Sequence, residues 1–254
     1  MTTTTRRPVA LVTGAAQGLG HATALRLAED GCTVAVNDVS DDGRLTALAE
    51  RIGGLAVPAD IADADAVAAM TATVVNRLGG IDVLVANAAA MAMGDFLTQD
   101  PAIWWRQIEV NLSGHFRVVQ SVVPHMRAAG GGRIVVIASE WGVSGHANAS
   151  AYAASKAGLI ALVKGLGREL APQGILTNAV APAYIDTEQL RVDAADAGIT
   201  LEEMRDQYRA LIPIGKLSTV ADIAGAVAFL AGPGGSACVG QIIQPSGGVV
   251  RTRA

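Results

Sequence analysis

Cysteine is scarce in this chain. Cys32 and Cys238 are the only two among 254 residues. They have neither metal-ligand spacing nor the density of a disulfide framework, which fits a reduced, cytoplasmic protein without a metal site. Charge is scarce too, at 17% of residues, and the net value of −4 leaves no basic excess. That argues against a nucleic-acid binder, which usually carries a basic face. No apolar run reaches the ~18–20 residues of a membrane span. The apolar stretch in "MTTTTRRPVALVTG" is too short for a secretory h-region, and residues 1–7 read as a flexible start.

What is abundant is small and aliphatic: 51% of residues are hydrophobic, only 4% are aromatic, and glycine occurs 29 times. A chain of this length buries roughly 70–75% of its unfolded surface, so its core needs no covalent staple. Length alone leaves one domain or two open. The pattern favours one, because β-branched runs alternate with Ala/Leu-rich segments throughout. The runs fall at 9–13, 33–38, 54–60, 81–87, 133–139, 175–182 and 240–247. Their near-continuous apolar character suits strands covered on both faces. Helices are expected near 18–30, 41–52, 63–79, 102–128, 151–171 and 219–231, with Asp63 and Thr219 as N-caps and Gly31 and Gly174 after helix ends. The expected fold is a doubly wound, Rossmann-type α/β domain with about seven parallel strands and helices on both faces. Residues 183–213 break the rhythm, with helical pieces but no strand. An insertion there, after a strand's carboxyl end, lies beside the ligand crevice of such a fold.

Three short stretches carry chemistry. The first strand runs into "TGAAQGLG", Thr13 to Gly20. Glycines there let the backbone turn sharply and approach a pyrophosphate, and the following helix N-terminus favours the anion. The spacing Gly14, Gly18, Gly20 differs from G-x-G-x-x-G, and a plain strand–helix turn explains it as well. Asp38 ends the second strand, where a dinucleotide fold sets an acid against the ribose 2′-hydroxyl. A carboxylate there repels a 2′-phosphate, so NAD is expected over NADP. No Arg or Lys lies within the glycine turn or directly after Asp38. An Asp capping a surface turn is the alternative.

In "SEWGVSGHANASAYAASK", Tyr152 and Lys156 stand four apart, and Ser139 precedes Tyr152 by thirteen. On a helix Tyr152 and Lys156 share a face. Hydride removal from an alcohol needs a base for the hydroxyl proton, and an ordinary Tyr, near pKa 10, is too weak an acid to act as one. A cation within a few Å lowers that value by ~1–3 units, which gives Lys156 a role. Ser139 suits a hydrogen bond to the substrate oxygen. Asn111, in "VNLSGHF", can approach from another helix. Each feature alone is commonplace; together they are harder to obtain by accident.

Taken together, "TGAAQGLG" and these residues resemble the short-chain dehydrogenase/reductase family over about residues 8–250. The resemblance implies Ser139, Tyr152 and Lys156 as a catalytic triad, with Asn111 holding a water in a proton relay. It implies a cofactor site of Gly14, Gln17, Gly18, Leu19, Gly20, Asp38, Asp60, Ile61, Asn87, Tyr152, Lys156, Pro182, Ile185 and Thr187, with NAD as cofactor. Asp60-Ile61 resembles the pair at the adenine, Asn87 the Asn of an NNAG motif, and Lys156 is expected on the nicotinamide ribose. Ile185 and Thr187 resemble the residues that hold the carboxamide. Three departures stand out: "ANAA" at 86–89, Pro182-Ala183 in place of Pro-Gly, and Glu140-Trp141 after Ser139. Ala183 is costly if its turn needs a positive φ.

For the substrate side the candidates are Ala90, Met91, Met93, Glu140, Trp141, His146, Tyr184, Met204 and Tyr208. Mostly apolar, they point to a hydrophobic secondary alcohol or ketone, cyclic ones included. Glu140 reads as a solvated loop acid or as a partner for a second polar group on the substrate, and His146 as a loop residue. The alternatives are a reductase of carrier-bound 3-oxoacyl thioesters, a sugar-nucleotide epimerase and a catalytically silent nucleotide-binding protein. Against the first, Gly130 and Gln173 stand where a basic contact to an acidic carrier is expected. An epimerase normally needs a longer chain, and a silent protein has no need of all four catalytic groups. The family resemblance also implies a homotetramer built on the two long helices, with Ala157, Leu159 and Gly165 suited to close packing.

Overall fold

The computed structural model describes residues 6–250. Seven parallel strands form one sheet in the order β3-β2-β1-β4-β5-β6-β7. These are β1 (Val9–Thr13), β2 (Thr33–Asn37), β3 (Leu55–Ala56), β4 (Val83–Ala86), β5 (Gly132–Ile137), β6 (Ile175–Val180) and β7 (Ile242–Ile243). Chain order reverses between β1 and β4, which pair in register from Ala10↔Val83 to Val12↔Val85. The carboxyl ends at such a reversal leave a crevice for ligands. The expected doubly wound, Rossmann-type sheet is what the chain forms.

Helices cover both faces. One face packs α3 (Ala64–Leu78), α5 (His115–Ala128) and α7 (Ser150–Leu170) over Leu11, Leu84, Ile134 and Ile175. The other packs α1 (Gly18–Glu29), α2 (Arg44–Ile52) and α10 (Val220–Ala231) over Val12, Val36, Val85 and Val180. Burying both faces of each strand explains the unbroken apolar runs. Each such side chain contributes about 1.5–3 kcal/mol relative to exposure.

Several boundaries differ from the sequence-based expectation. The runs at 54–60 and 240–247 yield only two-residue edge strands, because Pro58 and Pro245 lack the N–H a ladder needs. The helix expected from 41 starts at Arg44, since Asp41 folds back to accept from Gly43 N at 2.8 Å. The long helix expected at 102–128 is α4 (Pro101–Ile108), a π-helical turn over Glu109–Gly114, and then α5. α6 (Trp141–Ser144) was not foreseen. Both expected N-caps hold: Asp63 accepts from Asp65 N and Ala66 N, and Thr219 forms a reciprocal capping box with Asp222.

Residues 183–213 contain α8 (Gln189–Asp196) and α9 (Leu201–Leu211), which pack on each other through Leu190, Ala194 and Met204. An isolated bridge, Ile185↔Ser218, ties the base of this insertion down. At the start of the chain, residues 1–5 lie outside the described residues, whereas Arg6 ion-pairs with Asp82 at 2.9 Å.

Candidate active site

The crevice at the β1/β4 reversal begins with the turn between β1 and α1. Gly14 has φ +66°, and a Cβ there would stand 2.7 Å from Ala88 Cα. A Cβ on Gly20 would stand 2.1 Å from the Gly14 carbonyl oxygen. Both positions therefore need glycine, one for conformation and contact and the other for contact alone. Gln17 caps α1 without a side-chain hydrogen bond, so its own side chain leaves the first-turn N–H groups uncovered. This is an arrangement that accepts a phosphate.

The β1 and β4 ends are stitched together. Thr13 Oγ1 accepts from Asn87 N at 3.0 Å and Ala88 N at 3.1 Å, and Asn87 Nδ2 donates to Thr13 O and Gly14 O. Asn87 thus holds the glycine turn in place. Asp38 sits at the end of β2, where its Oδ2 accepts from Ala16 N at 3.0 Å. It lines a cavity of about 410 Å³ with Gln17, Gly18, Leu19, Asp60 and Ile61. The open helix terminus, the narrow glycine turn and the acid fit a dinucleotide, and Asp38, Asp60 and Ile61 share the wall of one cavity.

Two arginines at this crevice escaped the sequence reading. Arg44 donates to Gln17 Oε1 at 2.6 Å and pairs with Asp42 at 2.8 Å. Arg106 pairs with Asp60 at 2.7 Å and also lines the crevice. Partial burial raises the Asp60 pKa, but the Ala62 amide and Arg106 outweigh it and leave the carboxyl below its ordinary value. Both arginines are remote in sequence from their crevice partners, so no local motif could reveal them.

Ser139 follows β5, while Tyr152 and Lys156 lie in the first two turns of α7. Lys156 is only 1% exposed, and its Nζ donates to Ile137 O at 2.7 Å. The same Nζ lies 5.4 Å from the Tyr152 ring centre. The three residues converge as expected, but the acid–base ordering differs. Burial pushes Tyr152 up to about 12, with a hydrogen bond from Ser139 pulling partly the other way. Burial also drives Lys156 down to about 7. Desolvation favours both neutral forms here and outweighs the attraction the sequence reading assigned to the pair.

Asn111 sits in the π-helical turn, fully buried. Its Oδ1 accepts from Ala90 N at 2.7 Å, while Nδ2 donates to Ala90 O at 2.8 Å and Ser155 Oγ at 3.2 Å. Its side chain therefore clamps the segment after β4 and touches the triad only through Ser155, whose hydroxyl donates to Tyr152 O at 2.7 Å. His115, unremarked in the sequence, is fully buried with Nε2 2.8 Å from Ala88 O. Burial, reinforced by Lys156, lowers its pKa to about 3, so it is neutral and Nε2–H donates.

Beside the triad opens a second cavity of about 230 Å³. Met91, Glu140, Trp141, Tyr184 and Tyr208 line it as expected, and Thr187 lines both cavities. Ile185 lines this second cavity, two residues from Thr187. Pro182 lines neither; it is buried, and its carbonyl accepts from Glu140 N at 2.9 Å. Ala90 turns to the dinucleotide side, Met93 is 45% exposed, and Met204 packs α8 against α9. His146 stacks on Trp141 at 3.9 Å from an exposed position. Leu190 and Asp193, i and i+3 on α8, complete the wall and were not foreseen. Among the described residues Asn148 is the only non-glycine with positive φ, so Ala183 carries no such strain.

Glu140 corrects the sequence reading most. It is 4% exposed and faces the cavity, so the solvated loop acid is ruled out. Burial raises its pKa, opposed by the Ser144 hydroxyl, His146 and the Trp141 indole. With three tyrosines, an indole and two acids around it, the cavity is more polar than expected.

Comparison with known proteins agrees with this architecture. Residues 14–250 match a family model described as enoyl-(acyl carrier protein) reductase. The chain is 38% identical to a 3-oxoacyl-[acyl-carrier-protein] reductase of Staphylococcus aureus, covering 94% of this chain and 97% of the relative. It is 40% identical to a cis-4-hydroxycyclohexanecarboxylate dehydrogenase of Sinomonas cyclohexanicum, covering 94% and 95%. A putative ketoacyl reductase of Streptomyces coelicolor is 38% identical, covering 95% and 96%. With the parallel sheet, the glycine turn and the Ser–Tyr–Lys convergence, these matches place the chain in the short-chain dehydrogenase/reductase family of nicotinamide-dependent oxidoreductases.

Proposed function

We propose that this chain, a single domain, is an NAD(H)-dependent oxidoreductase that interconverts a secondary alcohol and its ketone. One observation carries the reading: Ser139 and Tyr152 face a cavity that shares Thr187 with the dinucleotide crevice. An alcohol in the smaller cavity thus lies against both the acid–base groups and the nicotinamide end of the crevice.

The nicotinamide, when bound, supplies the hydride acceptor or donor and, oxidised, a positive charge. Ser139 Oγ hydrogen-bonds the substrate oxygen and stabilises charge developing there. Tyr152 Oη receives the hydroxyl proton in oxidation and returns it in reduction. Lys156, anchored on Ile137 O, stands beside the Tyr152 ring and is the residue that would hold the nicotinamide ribose. Protonating this buried lysine stabilises tyrosinate, and the bound cofactor's charge acts in the same direction. Asn111 positions Ala90 and, through Ser155, the backbone at Tyr152. Asp38 supports NAD over NADP, because Arg44 nearby is held by Asp42 and Gln17.

Reduction of 3-oxoacyl thioesters is the second reading, favoured by the names of two of the relatives. The test is NADH formation from NAD with secondary alcohols, run beside oxidation of NADPH and NADH by acetoacetyl thioesters. Turnover of alcohols with NAD supports the first reading, and faster thioester reduction with NADPH replaces it with the second. Silence in both, with NADH still bound, overturns both in favour of a binding protein. The homotetramer belongs to the same proposal. Phe116, Leu112 and Leu162 leave an apolar strip along the α5–α7 face, and a monomer by size-exclusion chromatography overturns that assembly.

A further inference from the structure

The cavity beside the triad has an acidic character that the oxidoreductase reading does not require. Glu140 and Asp193 both line it, and among the described residues no Lys, Arg or His does. Lys156 is buried behind Tyr152, and His146 lies outside, stacked on the Trp141 ring. The Glu140 carboxylate has few partners. Ser144 Oγ stands 3.2 Å from Glu140 Oε2, but also 3.2 Å from Glu140 O and 3.0 Å from Gly145 O, so three acceptors share one hydroxyl hydrogen. The Trp141 indole adds one donor. A carboxylate accepts about four hydrogen bonds, so this one retains acceptor capacity on the cavity side. A ligand that brings a further donor to such an acceptor is favoured over its analogue lacking it.

We propose that Glu140 sets substrate choice: the cavity takes a secondary alcohol whose far side carries a second hydrogen-bond donor, a hydroxyl or an ammonium, and it rejects alcohols whose far side is a carboxylate. Tyr184 and Tyr208, stacked at 4.3 Å, offer ring faces on which the ring or chain between the two groups lies. Thus the acyclic or cyclic body is held by aromatic faces, the reacting hydroxyl by Ser139 and Tyr152, and the far donor by Glu140. This inference rests on the oxidoreductase reading above and refines its substrate class. It also separates this chain from the relative named for a hydroxycyclohexanecarboxylate.

The experiment compares kcat and KM, with NAD and with NADP, for cyclohexanol, cyclohexane-1,2-diol, cyclohexane-1,4-diol, 4-aminocyclohexanol and 4-hydroxycyclohexanecarboxylate. A diol or the amino alcohol is expected to exceed both cyclohexanol and the hydroxy acid in kcat/KM by about tenfold or more, chiefly through KM. Each preference is read as a ratio within one protein, so that general loss of activity cancels. In Glu140→Gln the ammonium preference falls about tenfold while a hydroxyl preference persists, because the amide oxygen still accepts. In Glu140→Leu both collapse. Equal use of all members by the unaltered protein, preference for the hydroxy acid, or a ratio unmoved by Glu140→Leu in a folded variant overturns the proposal. If no member turns over, the oxidoreductase reading is judged separately by the alcohol and thioester assay above, and Glu140 by binding. Calorimetric titration of the same compounds into the protein with NADH then decides: equal affinity for the amino alcohol, the diols and the hydroxy acid overturns the assignment of Glu140.

Discussion

The dinucleotide crevice and the neighbouring cavity meet at Thr187, yet they are made of different material. The crevice is largely backbone: a glycine turn, an open helix terminus and strand ends stitched through Thr13 and Asn87. The cavity is largely side chain, contributed by the segments after β4, β5 and β6 and by α7, α8 and α9. A backbone site tolerates little change in sequence, because a single Cβ at Gly20 collides with a main-chain oxygen. A side-chain site can be redrawn residue by residue without disturbing the sheet. The same molecule thus carries a backbone-built half at the glycine turn and an editable, side-chain-built half beside Tyr152.

The strongest test acts where the two halves join. Tyr152→Phe is expected to lower kcat by ~10²–10⁴ while NADH affinity, read by fluorescence titration, stays unchanged. A variant with near-normal turnover removes Tyr152 as the acid–base group. Next, Gly20→Ala tests the rigidity of the crevice. Its methyl group meets the Gly14 carbonyl, so a destabilisation of about 1–3 kcal/mol is expected in denaturant melts, with weaker NADH binding. Unchanged stability and binding would show that the turn can shift.

A smaller change is expected at Asp38, which borders the crevice by side chain. Asp38→Ala should raise the NADP-to-NAD ratio of kcat/KM by about tenfold, the worth of roughly 1.4 kcal/mol. An unmoved ratio would transfer cofactor choice to Arg44 or another neighbour. The gentlest probe is pH. The unfolded chain protonates His115 near its ordinary value of 6.5, whereas the folded protein refuses the proton down to about 3. Stability therefore falls as pH drops through that window, by up to about 1.4 kcal/mol per pH unit from this group. His115→Phe should flatten that part of the acid melting curve relative to the parent protein; an identical slope would mean that His115 is not buried neutral.

Legibility followed the same division. The turn in "TGAAQGLG", the place of Asp38 at the crevice and the Tyr152/Lys156 proximity were readable because each is local, set by a few consecutive residues or one helical turn. Tyr152's acid–base balance was not readable, since it depends on how much water the fold removes from Tyr152 and Lys156 together. The π-helical turn that points Asn111 at Ala90 was read as plain helix, because a one-residue change in hydrogen-bond register leaves little mark on composition. Arg44, Arg106, His115 and Asp193 were missed for another reason. Each reaches the crevice or the cavity only through tertiary packing, Arg44 through Gln17.

By itself the sequence determined the parallel sheet, the glycine turn after the first strand and the spacing that brings Tyr152 and Lys156 together. Continuous apolar strands, obligatory glycines and helical spacing are local constraints that few other folds satisfy. Only the tertiary structure decided that Glu140 is buried beside Tyr152, that Pro182 lies behind the wall and that α8 closes the cavity with Asp193. Burial and charge at a site are sums over segments distant in the chain, and those sums exist only once the segments have packed.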